Sequence, residues 1–165
     1  MRELAGRGHE VTVFHRGQHE PLLPEQVRHV HGDLASFDRF LPALRAWQPE
    51  VVVDMWALRA EHAERVLGFA GVAERAVVLS SSDVYKAFGR LNRTEPGPPE
   101  PLPLDEDASL RERLTAEGLD YDKTGVERRL RGQAELPVTV LRLPAVHGPG
   151  DYLHRLYPSN RSGGL

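Results

Sequence analysis

Val77-Val78-Leu79-Ser80-Ser81-Ser82-Asp83-Val84-Tyr85 decides the fold of this chain. An unbroken apolar run reads as a strand covered on both faces. Its carboxyl end carries three hydroxyls, and open α/β sheets bind their ligands outside the carboxyl ends of their strands. Ser80, Ser81 and Ser82 therefore stand where a crevice is expected, although plain strand-to-loop capping would also account for them. Working outward, apolar and β-branched runs recur at Glu10–Phe14, Val27–Val30, Val51–Met55 and Pro137–Leu143.

Helical spacing fills the intervals. Ser36 is placed to cap a helix carrying Phe37, Phe40, Leu41, Leu44 and Trp47. Ala63, Val66, Leu67 and Ala70 share one face of a segment from about Arg59 to Ala70. Val126 and Leu130 face inward on a helix predicted over Tyr121–Arg131. Met1–Gly8 reads as the tail of a helix closed by glycines, with Gly6-Arg7-Gly8 as its C-terminal cap. Lys86–Asp107 turns polar and proline-rich, with Pro96, Pro98, Pro99, Pro101 and Pro103, and reads as a surface loop. Strands alternating with helices predict an α/β fold with a doubly wound parallel sheet, Rossmann-like, of about five strands. Residues 1–151 form one such domain in this reading, and residues 152–165 a frayed tail.

Composition narrows the function. The 165 residues fit a single domain, and a formal net charge of −3 offers no electrostatic case for nucleic acid. Without cysteine, neither a disulfide framework nor a thiolate metal site can form. No apolar run reaches membrane-spanning length and the first residues are charged, so a cytoplasmic protein is expected. Among eight histidines, His15 and His19 are four apart and His29 and His31 two apart. The first pair spans a strand end and a loop, and the only carboxylate near the second is Asp33. These are read as solvated side chains, and no metal is expected.

Five ordered signals carry a resemblance: Gly-His-Glu-Val-Thr-Val, His-Gly-Asp-Leu, Val-Val-Asp-Met-Trp-Ala, Ser-Ser-Ser-Asp-Val-Tyr and Leu-Arg-Leu-Pro-Ala-Val-His-Gly-Pro-Gly-Asp. In that order the chain resembles the NAD-dependent epimerase/dehydratases, the extended short-chain dehydrogenases/reductases, from Met1 to about Asp151. The resemblance implies an oxidoreductase acting on a nucleotide-sugar or similar hydroxyl or keto substrate, with NADP or NAD as cofactor. It implies that Asp33 holds the adenine amino group and that Leu34 packs on its ring. Met55, Trp56 and Ala57 would line the cofactor after their strand, with Ser80 beside it, and Pro144 would lie near the carboxamide. Ser81 would orient the substrate oxygen. Lys123 would bind the ribose hydroxyls and lower the pKa of a catalytic tyrosine. Tyr85 matches a packing tyrosine.

Arg16 follows the strand Val11–Phe14, where NAD-binding sheets usually present an acidic residue to the ribose. A guanidinium fork there suits a 2′-phosphate, which favours NADP.

The pattern breaks in two places. The family's tyrosine stands four residues before its lysine, on the same helix face. Four before Lys123 stands Leu119. Tyr121 is two residues away, roughly 200° around a regular helix, so it would serve only if the helix starts late. The family also opens with a strand and a Gly-x-x-Gly-x-x-Gly turn that holds the pyrophosphate, whereas this chain begins inside the following helix. The expectation is a truncated, weakly active or inactive product that closes the gap or borrows a strand, as a homodimer would. A non-catalytic nucleotide- or protein-binding descendant is the alternative.

Overall fold

The computed structural model describes residues 1–18, 23–112 and 121–148. The chain divides into two compact units, Met1–Gln48 and Pro49–Leu165, and the tail of residues 152–165 lies outside the described residues.

In the first unit, helix α1 (Arg2–Gly6) ends at Arg7, and Gly8 takes φ +87°, as expected of a glycine closing a helix. Strands β1 (Thr12–His15) and β2 (Arg28–His31) pair in parallel, Thr12 opposite Arg28 and His15 opposite His31. A 3₁₀ segment, Leu34–Arg39, leads into helix α2 (Leu41–Ala46). Its cap is Asp33, whose Oδ1 accepts from Ala35 N at 2.8 Å. Ser36, read as the cap from sequence, instead lies inside the segment with non-helical φ/ψ. Phe14 meets Phe37 and Phe40 edge to face at 5.2 and 5.1 Å. The chain passes close beneath these rings at Gly32, where a Cβ would fall 2.7 Å from both Phe14 Cζ and Phe40 Cζ. The glycine of His-Gly-Asp-Leu is thus required by packing. Arg28 lies over Trp47, 4.9 Å from the ring centroid. Phe14 and Arg28 therefore look toward the helical side, and strand alternation turns Val13, His15, His29 and His31 the other way.

The second unit is a parallel sheet of order β3-β4-β5: Val51–Asp54, Arg75–Ser81 and Val138–Leu143. A 3₁₀ turn (Ala60–His62) runs into helix α3 (Ala63–Leu67), and helix α5 (Lys123–Arg131) precedes β5. Between them a 3₁₀ turn (Ser82–Val84) leads to helix α4 (Lys86–Leu91). The core joins Ala57, Ala63, Val66, Ala76, Val78, Val126, Leu130 and Leu136. Burial of side chains such as Val66 and Leu130 contributes roughly 1.5–3 kcal/mol each. Sheet and helices together form an incomplete Rossmann-like α/β fold.

Two expectations change. The Val77–Leu79 run is not buried evenly: Ala76, Val78 and Ser80 are buried, whereas Val77, Leu79 and Ser81 are half-buried. On that less covered face Val51, Val53, Leu141 and Leu143 are exposed. The segment read as a loop from Lys86 begins with α4, because Lys86-Ala87-Phe88 and Arg90-Leu91 favour helix before the prolines stop it. It returns to its own start through the antiparallel bridge Tyr85–Leu110 and the bond from Arg111 N to Val84 O, 2.8 Å. Among the described residues, no helix is long and apolar enough to cross a membrane.

Candidate functional site

The end of β4 is where the expected residues of the second unit gather. Ser81 caps the following 3₁₀ turn, its Oγ accepting from Asp83 N at 3.2 Å. It remains half-buried, and the Tyr121 phenol lies near enough for the Ser81 hydroxyl to influence its titration. Tyr121 stands ahead of the helix, not in it. Asp122 is the N-cap of α5, with Oδ1 accepting from Gly125 N at 2.8 Å. A Cβ on Gly125 would sit 2.2 Å from Asp122 Oδ2, so the cap requires a glycine there. The helix therefore starts at Lys123, and the opposite-face objection to Tyr121 does not apply. Leu119, at the expected tyrosine position, lies outside the described residues.

Burial pushes the Tyr121 phenol above its usual value, and Asp83 adds to this, while Ser81 and Arg111 act in the opposite sense. The cation felt by the phenol is thus Arg111, where the resemblance implied Lys123. Arg111 is buried, 3.5 Å from Asp83 Oδ1 and 2.8 Å from Thr94 Oγ1. Lys123 is also buried, and its Nζ donates to Leu79 O at 2.7 Å and Ala57 O at 3.1 Å. It ties the first turn of α5 to β4 and to the loop after β3. Burial draws its pKa below the usual lysine value, opposed by Asp54, Asp83 and Glu127. An ammonium has three donors; two are engaged here.

Ser80 and Ser81, adjacent in sequence, point to opposite faces. Ser80 Oγ donates to Glu127 Oε1 at 2.6 Å inside the helix-covered face, away from the half-buried side of Ser81. Glu127 is 1% exposed and is also held by Arg142, Nη2 to Oε2 at 2.8 Å and Nε to both oxygens at 3.2 Å. Arg142 continues to Tyr85 Oη at 3.1 Å and Glu106 O at 2.7 Å. Glu127 thereby holds the Arg142 guanidinium well above its already high ordinary pKa. Neither Glu127 nor Arg142 was expected from the family pattern, yet this buried network fixes α5 to β4 and β5 beneath the serine strand.

The loop after β3 is built around Asp54, whose Oδ1 accepts from Trp56 N at 2.7 Å. Met55 and Trp56 are exposed and Ala57 is fully buried. Pro144, past the end of β5, is exposed. Leu58 N donates to His62 Nδ1 at 3.1 Å, and Asp122 N donates to Leu58 O at 2.6 Å, so this loop supports the α5 cap. Burial, then Arg65 and Arg59, hold the His62 pKa below its usual 6.5. The unfolded chain consequently binds more protons at this site below pH 6.5. Stability from neutral His62 is present above 6.5 and is lost as pH falls through the lowered value. Urea midpoints measured between about pH 7.5 and 5.5 are expected to fall, and His62→Gln to flatten that slope; equal slopes would exclude His62 as the source.

In the first unit Arg16 is exposed, just before Gly17 at φ +73°. Asp33 is exposed, although one carboxylate oxygen serves as the cap, and Leu34 opens the 3₁₀ segment.

Fold and site together define a parallel α/β protein with a serine, a tyrosine and a buried lysine around one strand end. No model of a known protein family matches the chain. Over 153 residues it is 29% identical to the 2'-dehydrokanamycin reductase of Streptomyces kanamyceticus, covering 91% of this chain and 40% of that protein. The chain is thus a distant relative of a reductase and spans about two fifths of its length.

Proposed function

We propose that the chain carries part of a nicotinamide-linked oxidoreductase of the extended short-chain dehydrogenase/reductase type, working as a carbonyl reductase. The observation that carries this reading is Ser81 at the end of β4 with Lys123 anchored on Leu79 O of the same strand, Tyr121 standing just ahead of the start of α5. Likeness to a reductase supports it. NADP or NAD would supply the hydride when bound, the third donor of Lys123 serving the ribose; in the first unit, the exposed Arg16 is the residue suited to a 2′-phosphate. Ser81 orients the substrate oxygen, and Tyr121 delivers its proton to that oxygen as the carbonyl becomes an alcohol. The phenol carries its proton through the neutral range, so in the direction of reduction it acts as the acid. The substrate class is a keto compound, a keto sugar or nucleotide sugar being the family's usual range.

Cofactor loss tests the reading directly. NADPH oxidation is to be followed with 2'-dehydrokanamycin as the first test substrate, alongside equilibrium binding of NADPH and NADH. Arg16→Ser should weaken NADPH by roughly tenfold, about 1.4 kcal/mol and near the lower end for a hydrogen bond to a charged group, and leave NADH unchanged. Equal effects on both would remove the argument for NADP. Cofactor binding without turnover on any keto substrate would favour the non-catalytic descendant, for which Leu119 at the usual tyrosine position speaks.

A further inference from the structure

The pairing of β1 with β2 creates a second chemical cluster, in the first unit. His15 and His31 are register partners, and His29 lies two residues before His31 on the same strand face. One ring nitrogen from each lies within 4.8 Å of the other two. The rings meet edge to face, with His15 centroid distances of 5.0 Å to His29 and 4.8 Å to His31. His15 Nε2 and His29 Nδ1 are 2.8 Å apart, and His15 Nδ1 accepts from Gly17 N at 3.2 Å. We propose that His15, His29 and His31 form a binding site for a borderline divalent cation, Zn²⁺ foremost, that clasps the carboxyl ends of β1 and β2.

Three imidazoles with no thiolate match the preference of Zn²⁺ and its neighbours, and leave a fourth position for water or a ligand. Nitrogens bound at 2.0–2.1 Å in a tetrahedron lie about 3.3 Å apart. The present pair at 2.8 Å needs a small opening, and the three nitrogens, within 4.8 Å of one another, draw together around the ion. The protons can be followed. With Nδ1 of His15 accepting from Gly17, its proton sits on Nε2 and is donated to His29 Nδ1. A cation taken by Nε2 moves that proton to Nδ1 and displaces the Gly17 N–H. That bond is long and exposed, and water replaces it. The gain is structural: a 48-residue unit with only a two-stranded sheet among its described residues is of the size that needs a staple.

The test uses the full chain stripped of metal and titrated with Zn²⁺ alone, by calorimetry. One equivalent per chain is expected. His15→Gln and His29→Gln should each lose at least the roughly 10–100-fold that outer-shell partners alone are worth. His31→Gln, at the exposed end, tests the same loss with the least effect on folding, checked by circular dichroism. His9→Gln and His147→Gln should leave the affinity unchanged. Co²⁺ in the unaltered chain should give the intense visible bands of a tetrahedral nitrogen site. No saturable equivalent, unchanged affinity in His31→Gln with a folded chain, or an octahedral Co²⁺ spectrum would each overturn the proposal.

Discussion

Glu127→Ala is expected to lower the unfolding free energy by about 3–5 kcal/mol, the usual cost of removing one partner from a buried ion pair. That is a large share of the roughly 5–15 kcal/mol that holds a typical domain together. The size follows from what remains behind. Arg142, its side chain 8% exposed, would keep the Tyr85 hydroxyl and ring and the Glu106 carbonyl, with no carboxylate, as partners for a full charge. Ser80, also buried, would lose the acceptor of its 2.6 Å bond. The hydroxyl's share is smaller: Ser80→Ala should cost about 0.5–1.5 kcal/mol, or somewhat more because the acceptor is charged. The combined Glu127→Leu, Arg142→Met chain should recover much of the loss, since apolar replacements of a buried pair are often neutral. Urea denaturation followed by circular dichroism reads all three. A Glu127→Ala midpoint indistinguishable from the parent's would mean that α5 is not held to the sheet by this carboxylate.

This network was legible in the residues without any family pattern. Ala76, Val78 and Ser80 share a face by alternation, as do Val138, Val140 and Arg142, and both sets are otherwise apolar. On α5, Lys123, Val126, Glu127 and Leu130 follow the i, i+3, i+4, i+7 stripe. A carboxylate, a guanidinium and a hydroxyl are thus assigned to one interior, where charges must pair. The family pattern places Ser80 beside the cofactor, whereas its hydroxyl lies on the helix-covered face, bonded to Glu127. Tyr121 depends on a late helix start, and that start was legible as well. The cap is visible as Asp122 three residues before Gly125, and it moves the helix start past the tyrosine. The parallel α/β class and the five strands were readable from alternating strand and helix patterns, with boundaries shifted by one or two residues. The histidine trio was not readable that way. Spacing along the chain brings together His29 and His31, but only the register of β1 against β2 adds His15.

Under the proposed reductase reading, Tyr121→Phe should lower kcat by about 10²–10⁴-fold, the typical worth of a positioned general acid. NADPH affinity and the unfolding midpoint should hardly change, because the phenol stands outside α5 and its ring remains. Ser81→Ala is a less clean variant. Its Oγ also accepts from Asp83 N, so the change loosens the turn as well as the substrate oxygen. Ser81→Thr retains the hydroxyl and should keep most of the activity. The two residues act on one oxygen, so the double variant Tyr121→Phe, Ser81→Ala should fall little below Tyr121→Phe alone. The pH profile supplies a further reading. The phenol's pKa is raised above 10.0, so the acid is already in its proton-bearing form throughout the neutral range. Reduction should therefore be level through neutrality and decline only above pH 10.0. A descending limb near neutrality that survives Tyr121→Phe would assign the proton to another group. Leu119→Tyr then discriminates: a gain there would return the acid to the position four residues before Lys123, whereas no gain with Tyr121→Phe inactive leaves Tyr121 as the donor.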